Sequence, residues 1–442
     1  MSNKKKVFIK TYGCQMNEYD SEKLVLDLEK NHYEQTGDIQ EADMVLLNTC
    51  NIREKAAEKV YSELGRIKKF KDHNTDLKIG VTGCVAQAES LEIFDRQPAV
   101  DFIVGPQSYH KFPEIISKLK DGKRNIIETS FEASDKFNSI ASLAGITKPS
   151  SFVTIQEGCD KFCKFCVVPY TRGPEYSRNF KDILDEADNL ISNGSKEITL
   201  LGQNVNAYNN NNKSLSDIIY SLEEKKDLIR IRYTTSHPKD MTKDLFEAHK
   251  SCTKLMPLLH LPVQSGSDKI LKSMNRKHNI KEYLKIINIL KKKNSRIEFA
   301  SDFIIAYPGE SERDFKKTLK LINEVKFINS YSFIFSPRPG TVAENLKTID
   351  KNVSSERLER VQKELSNIQI NKNKSFENKE LDVLVENQTK DKTKVFGRSE
   401  YMSSVIFNGK KEDIGKILKV KIKKSNQNSL FGENINKKKL VA

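Results

Sequence analysis

Short apolar segments alternate with amphipathic segments along the first third of the chain, and this pattern most limits the fold. The apolar runs Lys6–Thr11, Ala42–Thr49 and Leu77–Thr82 are each followed by a helical pattern, as at Glu18–Lys30 and Arg53–Lys71. Strands and helices in alternation indicate a parallel sheet covered by helices. We therefore expect an α/β fold that begins with a parallel α/β domain.

The alternation resumes in the middle of the chain. The predicted strands are Phe152–Gln156, Glu197–Leu201, Ile229–Thr234, Leu255–Leu261, Ile297–Ile304 and Tyr331–Phe335. Helical patterns separate them, as at Lys181–Ser192, Lys281–Lys293 and Glu312–Val325. Six such repeats predict a partial (β/α) barrel, whose working face would be the carboxyl ends of the strands.

The sequence pattern changes at two places, which we interpret as domain boundaries. A polar, weakly patterned stretch at 132–150 is typical of a linker. After a polar helix at Ser354–Asn373, short β-rich runs separated by Gly and Asn predict a small all-β barrel. The predicted domains are therefore 1–131, 151–375 and 376–442, with 132–150 as the linker.

Three cysteines, Cys159, Cys163 and Cys166, have CxxxCxxC spacing directly after the first strand of the predicted barrel. Thiolates in a short loop of this kind hold cubane iron-sulfur clusters. Three ligands leave one iron of a four-iron cluster open, so that a substrate can bind it. The alternative is a structural zinc site, which needs a fourth ligand that this loop lacks.

Three further cysteines are far apart in sequence but share one context. Cys14, Cys50 and Cys84 each follow a predicted strand and precede a predicted helix. The carboxyl ends of parallel strands meet at one sheet edge, so we expect the three thiols to converge as a second three-cysteine cluster site. The alternative is three separate core cysteines. Cys252 has no partner or motif and is interpreted as an inert thiol.

The chain is basic, with 75 Lys and Arg against 60 Asp and Glu and a net charge of +15. This charge suits a polyanionic partner, although general enrichment in lysine would also produce it. Residues from Glu377 onward carry 15 Lys and Arg against 9 Asp and Glu, and this concentration favours a nucleic-acid partner. No long apolar run or signal peptide is present, so we expect a cytoplasmic protein without a membrane partner.

Several motifs together resemble one known family. CxxxCxxC at the first strand of a partial barrel resembles the radical S-adenosylmethionine (SAM) superfamily. Within it, the chain resembles the methylthiotransferases along essentially its whole length. The motifs are TYGCQMN (Thr11–Asn17), VTGCVAQ (Val81–Gln87), CDKFCKFCVVPYTRG (Cys159–Gly173), RYTTSHP (Arg232–Pro238) and LPVQSGS (Leu261–Ser267). The sequences of these motifs are most similar to those of the branch that makes 2-methylthio-N6-dimethylallyladenosine next to the tRNA anticodon.

The resemblance implies cofactors, domains and partners. It implies two 4Fe-4S clusters, one on Cys159, Cys163 and Cys166 and one on Cys14, Cys50 and Cys84, together with SAM. The second cluster would be the sulfur source or carrier. The domains would be an N-terminal methylthiotransferase domain, a radical-SAM barrel and a C-terminal TRAM domain that binds RNA. The implied partners are tRNA, through an anticodon-loop adenosine, and an electron donor of unknown identity; we expect a monomer.

Polar side chains at strand ends are candidates for contacts with SAM or the modified base: Gln203, Ser236, Gln264 and Arg276. Ordinary loop capping is the alternative for each. Tyr170 and Arg172, which follow the cysteine loop, are candidates for contact with SAM or RNA. No catalytic residue is assigned. The competing functions are a sister methylthiotransferase, acting on threonylcarbamoyl-adenosine of tRNA or on a ribosomal-protein aspartate, and a non-catalytic iron-sulfur RNA-binding protein.

Overall fold

The computed structural model describes residues 4–51, 54–131, 136–137 and 148–435. Most of the predicted linker at 132–150 lies outside these described residues, as does Arg53. The chain forms two compact units. The first comprises Met1–Ile146, Thr154–Asp182 and Ser336–Glu344, and the second comprises Thr147–Val153, Ile183–Phe335 and Asn345–Ala442.

The N-terminal part of the first unit is a parallel sheet with helices between its strands. The strands are β1 (Lys5–Thr11), β2 (Tyr33–Gln35), β3 (Met44–Thr49), β4 (Lys78–Gly83), β5 (Phe102–Val104) and β6 (Ile126–Glu128). The helices are α1 (Gln15–Lys30), α2 (Glu54–His73), α3 (Cys84–Glu89), α4 (Leu91–Arg96) and α5 (Phe112–Lys120).

The strand order of this sheet is β2-β1-β3-β4-β5-β6, and every neighbouring pair is parallel. All six residues of β3 are buried, as expected for a central strand covered on both faces. The predicted parallel α/β domain is confirmed. Three adjacent strands of this sheet, β1, β3 and β4, are those that precede Cys14, Cys50 and Cys84.

The middle of the chain contains ten strands and seven helices among the described residues. The strands are β7 (Ser150–Thr154), β8 (Gln156–Glu157), β9 (Tyr176–Ser177), β10 (Glu197–Leu201), β11 (Asn209–Asn210), β12 (Lys213–Ser214), β13 (Arg230–Tyr233), β14 (Leu258–His260), β15 (Glu298–Ile305) and β16 (Asn329–Ile334). The helices are α6 (Val168–Thr171), α7 (Phe180–Ser192), α8 (Leu215–Glu223), α9 (Lys243–Ser251), α10 (Asp268–Ser273), α11 (Ile280–Lys293) and α12 (Glu312–Val325).

The second unit contains the partial barrel that the sequence predicts. Its strands form two three-stranded sheets, β13-β10-β7 and β14-β15-β16. A parallel bridge between Ile231 and Leu255 connects them. Each of the six predicted strands overlaps one of these strands. The helix predicted at Glu312–Val325 has those bounds and begins with a capping box, in which the Ser311 hydroxyl accepts from the Asp314 N–H.

The C-terminal part consists of one long helix and a closed five-stranded barrel. The elements are α13 (Lys351–Lys374), β17 (Glu380–Gln388), β18 (Val395–Ser399), β19 (Ser404–Phe407), β20 (Ile417–Ser425) and β21 (Ser429–Asn434). The barrel order is β17-β18-β19-β21-β20, which confirms the predicted all-β barrel. Its interior is filled by buried aliphatic side chains such as Val383, Val405 and Val420.

Two arginines from the RYTTSHP region attach the small barrel within the second unit. Arg230 donates to the carbonyls of Asp382 and Arg398, at 2.6 and 2.9 Å. Arg232 donates to the carbonyls of Ser399 and Glu400, at 3.0 and 2.8 Å. Both guanidinium groups are buried beside the Glu197 carboxylate. These arginines therefore hold the barrels together and are not exposed for ligand binding.

Candidate active site

The three dispersed cysteines lie at the carboxyl ends of adjacent parallel strands. Cys14 precedes α1, Cys50 directly follows β3, and Cys84 begins α3 directly after β4. The strand register pairs Thr11 with Asn48 and Thr49 with Gly83, so the three chain ends are level with one another. The predicted convergence at one sheet edge is confirmed by this topology, whereas the role of the thiols as metal ligands stays a prediction.

Glycines permit the close approach of the backbone to these thiols. Gly13 has φ +109°, a conformation that L side chains rarely adopt, and an added Cβ would collide with the Cβ and Sγ of Cys50. Gly83 has φ +88° and its Cβ would collide with the carbonyl oxygen of Thr49. Side chains at either position would push the cysteine loops apart.

The electrostatic surroundings favour a thiolate at Cys14. A hydrogen bond with Cys50 lowers the pKa of Cys14 to about 6, and the positive charge of Arg172 contributes in the same direction. Burial raises the pKa of Cys84, while the same guanidinium opposes that effect. Thiolates are the form that binds metal, so Cys14 is better prepared than Cys84 to act as a thiolate ligand.

Arg172 belongs to a buried ionic network that the sequence did not reveal. Its Nη2 lies 2.8 Å from Asp20 Oδ2 and its Nη1 lies 3.2 Å from Glu157 Oε1. Lys136 Nζ lies 2.9 Å from Asp20 Oδ1 and also pairs with Glu157. Two cations thus balance two anions, as buried charges require. Asn17 adds an amide oxygen that accepts from Arg172 at 3.0 Å.

The structure corrects the interpretation of Arg172 as an RNA contact. The side chain is 2% exposed and is engaged by the two carboxylates. A buried guanidinium with these partners is not available to RNA phosphates. Tyr170, by contrast, is 44% exposed, so its predicted contact with SAM or RNA stays a prediction.

The three clustered cysteines occupy one tight loop between β8 and α6. The Cys166 N–H donates to the Cys163 carbonyl at 2.9 Å, and the Cys159 N–H donates to the Gly173 carbonyl at 3.3 Å. Burial, with a smaller contribution from the nearby Cys163, raises the pKa of Cys159 to about 11. Gly158 has φ +72° and packs so closely on Pro174 that a Cβ would collide with its carbonyl. A backbone hydrogen bond from the Ala343 N–H to the Lys164 carbonyl, at 2.9 Å, also anchors this loop.

Neither set of thiols already forms a metal site. In the part of the chain that the structure describes, no three His, Cys, Asp or Glu side chains are arranged to hold a metal ion. All six are cysteines outside any disulfide and fall in two groups, and cysteine sulfur is the donor that iron-sulfur clusters need. Cys252 is a buried free thiol at the end of α9, as its interpretation as an inert thiol suggests.

The second unit places Gln203, Ser236 and Gln264 in loops after barrel strands and places Arg276 between α10 and α11. Gln203 is partly exposed after β10, and Ser236 is 4% exposed after β13. Gln264 has φ +74°, and its N–H donates to the Asp302 carbonyl at 3.0 Å. Arg276 Nη2 donates to the Pro262 carbonyl at 2.7 Å. The first three therefore lie after the carboxyl ends of strands, Arg276 reaches the segment after β14 through Pro262, and contact with SAM stays a prediction for all four.

Histidines and an aspartate that the sequence analysis did not select lie beside these loops. His260 Nε2 lies 3.4 Å from Asp302 Oδ1, and its Nδ1 accepts from the Thr235 N–H at 3.3 Å. His278 is 7% exposed and packs at 5.7 Å, ring to ring, against His237. Among the described residues, both ring nitrogens of His278 and the Ser236 hydroxyl have no hydrogen-bond partner. Buried polar atoms in this state are normally satisfied by an ordered water or by a polar ligand.

Three family models together match most of the chain. Residues 6–105 match the family described as "Uncharacterized protein family UPF0004", residues 153–322 match the Radical SAM superfamily, and residues 374–435 match the TRAM domain. A tRNA-2-methylthio-N(6)-dimethylallyladenosine synthase of Pelagibacter ubique (strain HTCC1062) is 58% identical over 434 residues, or 97% of each chain. The chain belongs to the tRNA-2-methylthio-N(6)-dimethylallyladenosine synthase family.

Other members of this synthase family match equally completely. The synthases of Roseobacter denitrificans and Rickettsia canadensis are each 50% identical over 97% of this chain and 99% of their own. As a radical-SAM protein, a member of this synthase family uses SAM and a 4Fe-4S cluster. The resemblance drawn from the cysteine motifs is confirmed.

Solved radical-SAM structures share the fold of this synthase family member. The radical SAM methyltransferase TsrM from Kitasatospora setae has a TM-score of 0.58 at 10% identity, covering 77% of this chain and 75% of its own. The cobalamin-dependent SAM radical enzyme OxsB has a TM-score of 0.52 at 14% identity, covering 82% and 57%. At these identities the likeness concerns the fold alone, and it confirms the α/β architecture.

Proposed function

We propose that this chain adds a methylthio group to C2 of N6-dimethylallyladenosine, next to the anticodon of tRNA. Identity of 58% over 97% of the chain to a synthase named for this product carries the proposal. When bound, SAM and a four-iron cluster supply the one-electron chemistry that breaks an unactivated C–H bond. An aromatic C–H is too weak an acid for a side-chain base, so radical chemistry suits this substrate.

The two groups of thiols hold clusters with different functions. Cys159, Cys163 and Cys166 hold the cluster that leaves one iron open for SAM. Cys14, Cys50 and Cys84 hold a second 4Fe-4S cluster that is the sulfur source or carrier. The position of the latter at one sheet edge, with Arg172 facing Cys14 and Cys84, supports this assignment because a cation stabilises thiolates.

Polar residues at the barrel end position SAM or the modified base. Gln203, Ser236, Gln264 and Arg276 are the proposed contacts. The buried Ser236 hydroxyl supports this role, since it lacks a hydrogen-bond partner among the described residues. The left-handed backbone of Gln264, at φ +74°, also supports it, because such strain concentrates at ligand sites.

The remaining parts of the proposal concern partners and location. The small basic barrel within the TRAM match binds the tRNA, the enzyme acts as a monomer in the cytoplasm, and a separate protein donates electrons. The domain boundaries proposed are 1–131, 151–375 and 376–442, with a linker at 132–150. Within the described ranges, none of the helices has the length and apolar character needed to cross a bilayer.

Mass spectrometry of tRNA nucleosides from cells lacking the protein tests the proposal. We expect 2-methylthio-N6-dimethylallyladenosine to disappear and unmodified N6-dimethylallyladenosine to accumulate. Complementation with the wild-type chain should restore the product, and the Cys50→Ala variant should not. Loss of a methylthio group from threonylcarbamoyl-adenosine or from a ribosomal aspartate would support a sister enzyme, and an unchanged profile would refute the catalytic proposal.

A further inference from the structure

A pair of aromatic rings stands on the edge strand of the partial barrel. Tyr331 and Phe333, both on β16, have ring centroids 6.4 Å apart and planes inclined by only 6°. Tyr331 is 53% exposed, although it lies near the middle of a strand. β16 is the terminal strand of the sheet β14-β15-β16, so within that sheet the ring has a neighbouring strand on one flank alone. Large aromatic side chains are usually buried, so the exposure of this one calls for an explanation such as a binding role.

The strand register shows which side of the sheet these rings share. Tyr331 is the register partner of Asp302, and Phe333 is the partner of Ile304. Because side chains alternate along a strand, register partners on parallel strands point to the same side. The opposite side carries Phe303, which is fully buried and packs edge-on against Phe327 at 5.4 Å. The aromatic pair therefore lies on the more open side.

The same side carries polar groups that a base edge could meet. Asp302 Oδ1 lies 3.4 Å from His260 Nε2, and the Thr234 hydroxyl lies 3.4 Å from His260 Nδ1. Ser236, two residues beyond Thr234, is buried with a hydroxyl that has no partner among the described residues. An exposed ring on the same side of a sheet as polar side chains is the combination with which proteins bind unstacked bases.

We propose that Tyr331, supported by Phe333, is the platform on which the substrate adenine stacks. This inference rests on the proposed function and names the group that binds the target base. A nucleotide within an RNA loop must leave its stack before its C2 edge can be reached, and an aromatic face replaces the lost stacking. The ring face, and not the phenol hydroxyl, supplies the interaction.

Steady-state kinetics on tRNA containing N6-dimethylallyladenosine test the platform. The free energy of stacking a base on an aromatic residue is large enough that Tyr331→Ala should raise KM roughly ten-fold. Tyr331→Phe keeps the ring and should stay close to wild type, whereas Tyr331→Leu keeps an apolar side chain without a ring and should match alanine. Tyr220→Ala, at a tyrosine of α8 that is 40% exposed, is the matched control and should change nothing. An unchanged KM in Tyr331→Ala, or equal loss in Tyr331→Phe, would overturn the proposal.

A binding measurement separates this inference from the proposed function. Wild type should bind an anticodon stem-loop with N6-dimethylallyladenosine more tightly than the same stem-loop with an abasic site. Tyr331→Ala should bind both equally. If wild type makes no methylthio product but shows this base-dependent difference, and Tyr331→Ala abolishes it, the function fails and the platform stands. If product forms and the difference persists in Tyr331→Ala, the platform fails and the function stands.

Discussion

The guanidinium of Arg172 lies 2.8 Å from the carboxylate of Asp20, and both side chains are buried. Asp20 is on α1, the helix that follows Cys14, and Arg172 follows the loop that carries Cys159, Cys163 and Cys166. One ion pair within the first unit thus joins the segments that carry both groups of thiols. Arg172 also contributes to lowering the pKa of Cys14. The same side chain therefore connects two segments of this unit and favours the thiolate form of Cys14.

Removing the Arg172 charge should strongly destabilise the protein. Arg172→Met leaves Asp20 and Glu157 buried with Lys136 as their remaining cation in the network, and an uncompensated buried charge costs about 3–5 kcal/mol. Denaturant unfolding measures this loss of free energy. Arg360→Gln is the control: its partly exposed pair with Glu312, at 3.2 Å, should contribute about 0–1 kcal/mol. Equal effects of the two substitutions would contradict a structural role for the network.

Single cysteine substitutions should separate the two groups of thiols. Cys163→Ala removes a proposed ligand of the cluster that binds SAM, so reductive SAM cleavage should be lost. Cys50→Ala leaves that loop intact, so SAM cleavage should persist while methylthio transfer is lost. Chromatography of the nucleoside products of both reactions provides the measurement, and Cys252→Ala is the control that should retain both. If Cys50→Ala also abolished SAM cleavage, the two roles would not be separate.

His249 should make the protein less stable in acid. Burial lowers the pKa of His249 to about 4, from an ordinary 6.5. The unfolded chain then binds the extra proton between these pH values, so the contribution of His249 is complete above pH 6.5 and is lost as the pH falls towards 4. One proton corresponds to about 1.4 kcal/mol per pH unit. Unfolding of wild type and His249→Gln across this range should show the shallower dependence in the variant, and parallel curves would contradict the assignment.

Lysines on the small barrel should determine the salt dependence of tRNA binding. Lys423 and Lys424 on β20 are exposed, and each phosphate contact contributes about 0.7–0.9 to the slope of log affinity against log salt. The double variant Lys423→Gln/Lys424→Gln should therefore have a smaller slope in a binding titration. Lys292→Gln on α11 changes a similarly exposed lysine outside the small barrel and should leave the slope unchanged. A slope equal to that of wild type in the double variant would exclude this face from RNA binding.

Local patterns predicted the strands and the position of the cysteines well. Glu312–Val325 and Glu197–Leu201 have the predicted bounds because their periodicity and capping residues agree with their burial. The strand-end position of Cys14, Cys50 and Cys84 also followed from alternation alone, since parallel topology requires it.

The buried network could not be predicted in this way. Asp20 and Lys136 are far apart in sequence, and nothing local distinguishes a buried aspartate on a helix from an exposed one. Arg172 was interpreted as a contact for SAM or RNA because its neighbours in sequence do not reveal that its side chain is buried. The stacked pair on β16 was hidden because an apolar strand residue is normally assigned to the core. Residues whose surroundings are built by distant segments need the tertiary structure.

The central claim is that Cys14, Cys50 and Cys84 hold a second cluster. Anaerobic reconstitution followed by iron and sulfide assay tests it most directly, because each cubane contains four of each atom. We expect about eight iron and eight sulfide per wild-type chain and about four of each in the Cys14→Ala/Cys50→Ala/Cys84→Ala variant. A wild-type chain that holds only about four of each, unchanged in that variant, would contradict the claim.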